Sequence, residues 1–258
     1  MALYSCGRST LLAAHIPVYD FLAPSLINIT RSTRSVRHLS TSAASNAQDA
    51  SSNTPGSDAQ SHPKRPSKPL TQAQRDFLTS ALRVNQAGEL AATLIYAAQT
   101  PPIVKAHPHL RPLMKHMYDQ EAGHFDTFNS LLAKHRIRPT AMYPLWTVAA
   151  SALGWGTALL GREAAMACTE AVETEIGDHY NGQLRYLLDM IEGMESRGEV
   201  IGEDLRELVG TIRRIRDEEL EHLDHAVEND AKKAVPHELL TGVIRAGCKG
   251  AIWISEKV

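Results

Sequence analysis

Along residues 71–258, apolar side chains recur at steps of three, four and seven, and no convincing run of alternating β-branched residues breaks the pattern. That period belongs to helices, so the expected fold class is all-α. The pattern predicts a first helix over 71–99, stopped by Pro101-Pro102, and a second that starts near Pro112 and ends before Pro139. Further helices are expected over 162–192, 202–230 and 237–256, with 193–202 (GMESRGEVIG) as a loop. Thr71 opens TQAQ, a capping-box pattern that marks the start of the folded region.

Four of these helices carry acids in the wrong place for a solvated charge. The first aligns Leu78, Leu82, Glu89, Ala92 and Tyr96 on one face, and the second Leu110, Met114, Met117, Glu121, His124, Phe128 and Leu131. The third aligns Met166, Glu173, Tyr180, Leu184 and Leu187, and the fourth Leu205, Leu208, Ile212, Ile215, Glu219, His222 and Ala226. In each the carboxylate sits mid-stripe, where the core should lie. An unpaired buried carboxylate costs several kcal/mol, and few basic groups share these faces. Two divalent cations would balance four glutamates, with neutral imidazoles completing the coordination.

An internal repeat points the same way. Glu89 is followed by Tyr96 and Gln99, and Glu173 by Tyr180 and Gln183, both reading Glu-x6-Tyr-x2-Gln. Each precedes an Asp-x-Glu-x-x-His motif, DQEAGH at 119–124 and DEELEH at 217–222. One such motif alone is weak; two helix hairpins, each offering Glu and then Glu-x-x-His, match the ligand pattern of ferritin-like dinuclear carboxylate bundles. Glu121 and Glu219 are expected to bridge two metal ions, with Glu89 and Glu173 terminal and His124 and His222 each on one ion. Glu170, one turn from Glu173, is a rival for its place. Asp119 and Asp217 are candidates to support the second nitrogen of the histidines. His225 is expected at the surface or behind the ligands. Carboxylate and imidazole donors suit iron or manganese; such a site could oxidise a substrate, store iron or dismutate peroxide, and the ligands do not choose.

Composition adds location. Apolar residues make up 43% of the chain and the net charge is −2, which gives no reason to propose nucleic-acid binding. Cys6, Cys168 and Cys248 form no zinc spacing or disulfide framework. Residues 1–40 are Arg- and Ser-rich with Asp20 as their one acid, the composition of a mitochondrial transit peptide. Residues 41–70 are too poor in large apolar groups to build a core and read as a disordered linker, which leaves 71–258 as the folded domain. The stretch PTAMYPLWTVAASALGWGTALLG (139–161) has no charged residue. It is long enough to consider as a membrane span, but Pro144 and three glycines interrupt it, and the favoured reading is a helix that packs on the bundle and dips into a membrane surface. The last helix, with Leu239, Leu240, Val243, Ile244, Ile252, Trp253 and Ile254 among Arg245, Lys249 and Lys257, fits an interfacial position. A membrane-facing metal oxidase implies a lipid-soluble substrate.

The segments RVNQAGEL (83–90), YDQEAGHFDTFN (118–129), RPTAMYPLW (138–146), GTALLGREAAMACTEAVE (156–173), DHYNGQ (178–183) and RDEELEHLDHA (216–226) resemble the mitochondrial 5-demethoxyubiquinone hydroxylases, a ferritin-like di-iron monooxygenase family of ubiquinone biosynthesis. The resemblance spans essentially all of 71–258. It implies hydroxylation of a polyprenylated benzoquinone ring with O2 in the penultimate step of the pathway, two Fe ions, and electrons that trace to NADH. It implies metal ligands at Glu89, Glu121, His124, Glu173, Glu219 and His222, selecting Glu173 over Glu170, and an electron or proton relay at His179 and Tyr180. It also implies a peripheral position on the matrix side of the mitochondrial inner membrane, a lipid-presenting partner and a multi-subunit ubiquinone-biosynthesis complex. The chain departs from the family pattern at Asn85-Gln86, where Asp-His is common, at Thr174, where a second Glu is common, and in a longer loop at 193–202. A ferritin- or rubrerythrin-like protein and a membrane-bound helical scaffold are the competing readings; the apolar stretch and the lack of rubredoxin-type Cys pairs stand against the former.

Overall fold

The computed structural model describes residues 69–258. The expected transit segment, and all of the expected linker but its last two residues, lie outside them. Six long helices account for most of this region, and it contains no strand. They are α1 (Gln72–Ala106), α2 (Arg111–His135), α3 (Tyr143–Leu160), α4 (Arg162–Ser196), α5 (Glu203–Glu228) and α6 (His237–Ser255).

Helix α1 begins with the expected capping box: the Thr71 amide donates to Gln74 Oε1 at 2.8 Å and the Gln74 amide to Thr71 Oγ1 at 3.3 Å. It does not stop at Pro101-Pro102 but runs through both to Ala106. The two missing N–H groups are tolerated because Ile103 and Val104 beyond them are buried against Leu110, Met114 and Met117. Packing here outweighs a local preference against proline.

α1 packs on α2 and α4 on α5, and the two hairpins meet through α1–α4 and α2–α5 contacts, which is a four-helix, ferritin-like bundle. The apolar stripes close into its core as the periodicity requires. Phe128, Tyr180, Leu187, Ile212 and Ile215 form one half, and Tyr96, Met114, Met117, Met166 and Ala226 the other. The acid-bearing layer lies between them.

The uncharged stretch folds as α3, which lies against α1 and α4, and α6 lies against α4 and α1. No helix among the described residues is long and apolar enough to cross a membrane. Close approach of α3 to α1 is possible because residue 154 is glycine: a Cβ there would meet the Ile95 carbonyl oxygen at 2.6 Å and the Ala98 Cβ at 2.8 Å. Gly161 turns the chain from α3 into α4 with φ of 119°, a conformation that costs a residue with a Cβ. Glu175, buried in α4, accepts hydrogen bonds from Arg245 of α6 at 2.5 Å and lies 3.5 Å from Lys249. That pairing ties the outer helix to the bundle.

Gly154→Ala is expected to cost about 1–3 kcal/mol by forcing α3 off α1, whereas Gly156→Ala, whose added methyl meets nothing, should gain about 0.5–1 kcal/mol. Thermal denaturation of the two variants beside the parent chain checks the opposite signs.

Candidate metal centre

Helical phase and bundle packing together deliver six side chains to one buried point: Glu89 from α1, Glu121 and His124 from α2, Glu173 from α4, and Glu219 and His222 from α5. None is more than 2% exposed. Their donor atoms fall into two groups, Glu89, Glu121, His124 and Glu219, and Glu121, Glu173, Glu219 and His222, each with all its atoms within 4.8 Å. Glu121 and Glu219 belong to both. Such a set could hold two cations, with Glu121 and Glu219 within reach of both.

Both histidines turn Nδ1 inward. His124 Nδ1 lies 3.0 Å from Glu219 Oε1 and 3.4 Å from Glu89 Oε2; His222 Nδ1 lies 2.8 Å from Glu121 Oε1 and 3.4 Å from Glu219 Oε2. These approaches lack hydrogen-bonding alignment. Both nitrogens, both oxygens of Glu121 and of Glu219, and one oxygen each of Glu89 and Glu173 are buried without a hydrogen-bond partner. Buried polar atoms are rarely left so, and here they converge on the same space. Soft sulfur donors do not line it, so the donor set fits two hard-to-borderline divalent ions such as iron or manganese.

Electrostatics agrees. Burial, reinforced by the charge of Glu219, pushes Glu89, Glu121 and Glu173 above the usual carboxylate range. Burial acts on Glu219 in the same direction, but the close imidazoles of His124 and His222 outweigh it and draw Glu219 down to about 2. Burial opposes charge on His124, yet Glu219 and Glu89 carry that imidazole up to about 12. Without added positive charge the four carboxylates cannot all ionise together.

The outward-facing atoms of the cluster are held crosswise. Tyr96 of the first hairpin donates to Glu173 Oε1 at 3.0 Å, and Tyr180 of the second donates to Glu89 Oε1. His124 Nε2 lies 2.6 Å from Glu218, and His222 Nε2 lies 2.9 Å from Gln120 Oε1. Asp119 and Asp217 do not support the histidines. Both are exposed, Asp119 paired with Lys115 and Asp217 with Arg216 at 2.7 Å, because they sit about 100° around the helix from the residues that point across the bundle. Tyr96, Gln120 and Glu218 were therefore missed by the sequence reading, although the Glu-x6-Tyr repeat contained the signal for Tyr96. Glu170 turns away to Lys232 and, at 2.9 Å, His237 Nε2, where it anchors the approach to α6. His225 is partly exposed and groups with His116 and Glu221 in a separate cluster outside the bundle.

A second feature adjoins the centre. A cavity of about 380 Å3 lies among α1, α3, α4 and α6, walled by residues such as Ala91, Ile95, Leu153, Val172 and Ile244. Its polar groups include Asn85, His179 and Tyr180. Tyr180 thus lines the cavity and has its hydroxyl on Glu89. Asn85 and Gln183 pair reciprocally at 2.9 and 2.7 Å, and Gln183 Nε2 reaches His179 Nε2 at 2.6 Å. Burial lowers His179 to about 4, so the ring in the wall is neutral. Burial also raises Cys248 to about 12, which leaves a protonated thiol as one more apolar surface.

The family described as ubiquinone biosynthesis protein COQ7 matches residues 76–255. The chain belongs to the COQ7 family. It is 48% identical over 190 residues to the mitochondrial 5-demethoxyubiquinone hydroxylase of Saccharomyces cerevisiae, covering 73% of this chain and 82% of that one. It is 42% identical over 189 residues to the human mitochondrial NADPH-dependent 3-demethoxyubiquinone 3-hydroxylase, with 73% and 82% covered. It is 44% identical over 177 residues to the 3-demethoxyubiquinol 3-hydroxylase of Rhodospirillum rubrum, with 69% and 76% covered. In this COQ7 family chain the matched region takes in every residue of the buried cluster and of the cavity lining.

Because the folded pKa of His179 lies below its ordinary 6.5, protonation favours the unfolded chain. The stability that His179 contributes is complete above about pH 6.5 and falls as pH drops towards 4. His179→Gln is expected to flatten that dependence by up to roughly 3 kcal/mol, read as the difference between variant and parent in urea titrations at pH 7 and pH 4.5.

Proposed function

We propose that this chain is a di-iron monooxygenase that hydroxylates the ring of 5-demethoxyubiquinone in the penultimate step of ubiquinone biosynthesis. The observation that carries the reading is Tyr180, which joins an apolar cavity to a buried carboxylate–histidine cluster of two overlapping ligand groups. Glu89, Glu121, His124, Glu173, Glu219 and His222 would hold two iron ions, with Glu121 and Glu219 shared. Bound there, the iron pair supplies the activation of O2.

The chain's own residues do the rest. The cavity is within the usual range of small-molecule pockets, about 300–1,000 Å3, and its apolar walls suit a substituted benzoquinone ring. The polyprenyl tail would leave between α3 and α6, which both line the cavity and are joined by a 3.0 Å hydrogen bond from Trp146 Nε1 to Ser255 Oγ. His179, neutral and fixed by Gln183, can hydrogen-bond a ring oxygen. Tyr180 can hold or pass a proton between that ring and Glu89, which gives the pair the relay role. Walls without charged side chains exclude water from the reacting ring.

The outer surface supports a membrane location. Val148, Leu159 and Leu160 of α3 and Leu239, Val243 and Trp253 of α6 are each at least 64% exposed. Together with Lys249 and Lys257 they make a surface for the matrix face of the mitochondrial inner membrane, reached through the N-terminal transit segment at residues 1–40 and the linker 41–70. A lipid-presenting partner and a multi-subunit ubiquinone-biosynthesis complex would meet the protein there. The reductant is a nicotinamide cofactor, with electrons tracing to NADH; the names of the mammalian relatives specify NADPH.

Purified protein carrying His225→Ala, which removes the exterior cluster from the count, is expected to bind two iron ions. Glu173→Ala and Glu219→Ala should lose them, and cells relying on either variant should accumulate the demethoxy precursor; normal ubiquinone in such cells would refute the proposal. Glu121→Gln relieves repulsion in the metal-free cluster, so metal-free variant should melt no lower than metal-free parent yet gain nothing on adding iron.

A further inference from the structure

The two Asp-x-Glu-x-x-His motifs are not identical at the position before the ligand glutamate. The first has Gln120 there and the second Glu218. The structure gives the two residues the same task. Gln120 on α2 reaches His222 Nε2 of α5 at 2.9 Å, and Glu218 on α5 reaches His124 Nε2 of α2 at 2.6 Å. Each hairpin thus fixes the histidine of the other, and the repeat is kept in geometry. In charge it is broken. One histidine donates to a neutral amide and the other to a carboxylate, which also accepts from Arg214 at 2.6 Å.

Other repeat-related supports do not share this asymmetry, since Tyr96 and Tyr180 offer the same hydroxyl to Glu173 and Glu89. Arg214 is half exposed, so solvent screens the charge it sets against Glu218. A carboxylate that accepts from one imidazole nitrogen makes the other a stronger metal donor; an amide does so less.

We infer that the two metal positions are chemically inequivalent, and that Glu218 against Gln120 sets the difference. The ion between Glu89 and His124 meets the more electron-rich imidazole and is held more tightly, with its higher oxidation state favoured. The ion between Glu173 and His222 is the weaker held and the more readily reduced. Glu218 and Gln120 are positioning residues that act through the histidines. The inference rests on the di-metal reading of the cluster and deepens it.

Glu218→Gln is the decisive change, because it keeps an acceptor oxygen on a chain of the same length and removes only the charge. If Glu218 merely anchors the ring, this variant behaves as the parent. In parent protein loaded with 57Fe and reduced, Mössbauer spectra should give two distinct quadrupole doublets of equal area. In Glu218→Gln they should converge towards one, and competition with a chelator should show one of the two ions weakened by about 10- to 100-fold. Gln120→Glu should also converge the doublets, by strengthening the second position instead, and it decides the matter should Glu218→Gln not fold. A single doublet in the parent, or an unchanged pair in the folded single variants, would overturn the inference. Parent protein that takes up no iron would overturn the di-metal reading itself, and is told apart by the missing spectrum.

Discussion

Four carboxylates inside an apolar bundle are the constraint to which the rest of this structure answers. Each would cost several kcal/mol if buried alone, and they are brought close enough that three are driven towards the protonated state while the fourth is held ionised between two imidazoles. Cations remove that conflict in one step. The same cluster that weakens the metal-free bundle would therefore be the source of the proposed affinity for metal, as expected when binding energy and folding energy are coupled.

Neither hairpin completes the centre by itself. α1 and α2 supply Glu89, Glu121 and His124, but the groups that fix Glu89 and His124 are Tyr180 and Glu218 from the other pair. The reverse holds for Glu173 and His222, which depend on Tyr96 and Gln120. Crossed support makes the positions of these four side chains a property of the docked bundle, so that helix packing and the geometry of the cluster are set together.

The approximate twofold is broken where substrate would enter. His179 stands where the first hairpin has Ile95, and Gln183, unlike its repeat mate Gln99, bonds a cavity residue. Gln99 instead donates to Thr157 and to the Ala165 carbonyl, helping to seat α3 and the start of α4. One side of the centre is thereby closed by packing, and the other opens to an apolar chamber under α3 and α6. A ligand layer of near-twofold geometry acquires a single direction of approach, which the proposed hydroxylation of a lipid quinone requires.

Much of this was legible in the chain. A helical period of apolar residues leaves little freedom over which face is buried, so the all-α bundle and the converging side chains could be read from spacing, with the family resemblance choosing Glu173 over Glu170. The recurrence of Glu-x6-Tyr and Glu-x-x-His showed that two hairpins share one design. Spacing could not show how far each helix turns about its axis when it docks. That rotation decided that Gln120 and Glu218, rather than Asp119 and Asp217, reach the histidines, that Glu170 leaves the centre for Lys232 and His237, and that the first helix continues through two prolines. Sequence fixes the angular relation of residues within one helix, because backbone hydrogen bonds set it locally; which residue meets which across two helices depends on side-chain packing between distant segments, and only the tertiary structure decides it.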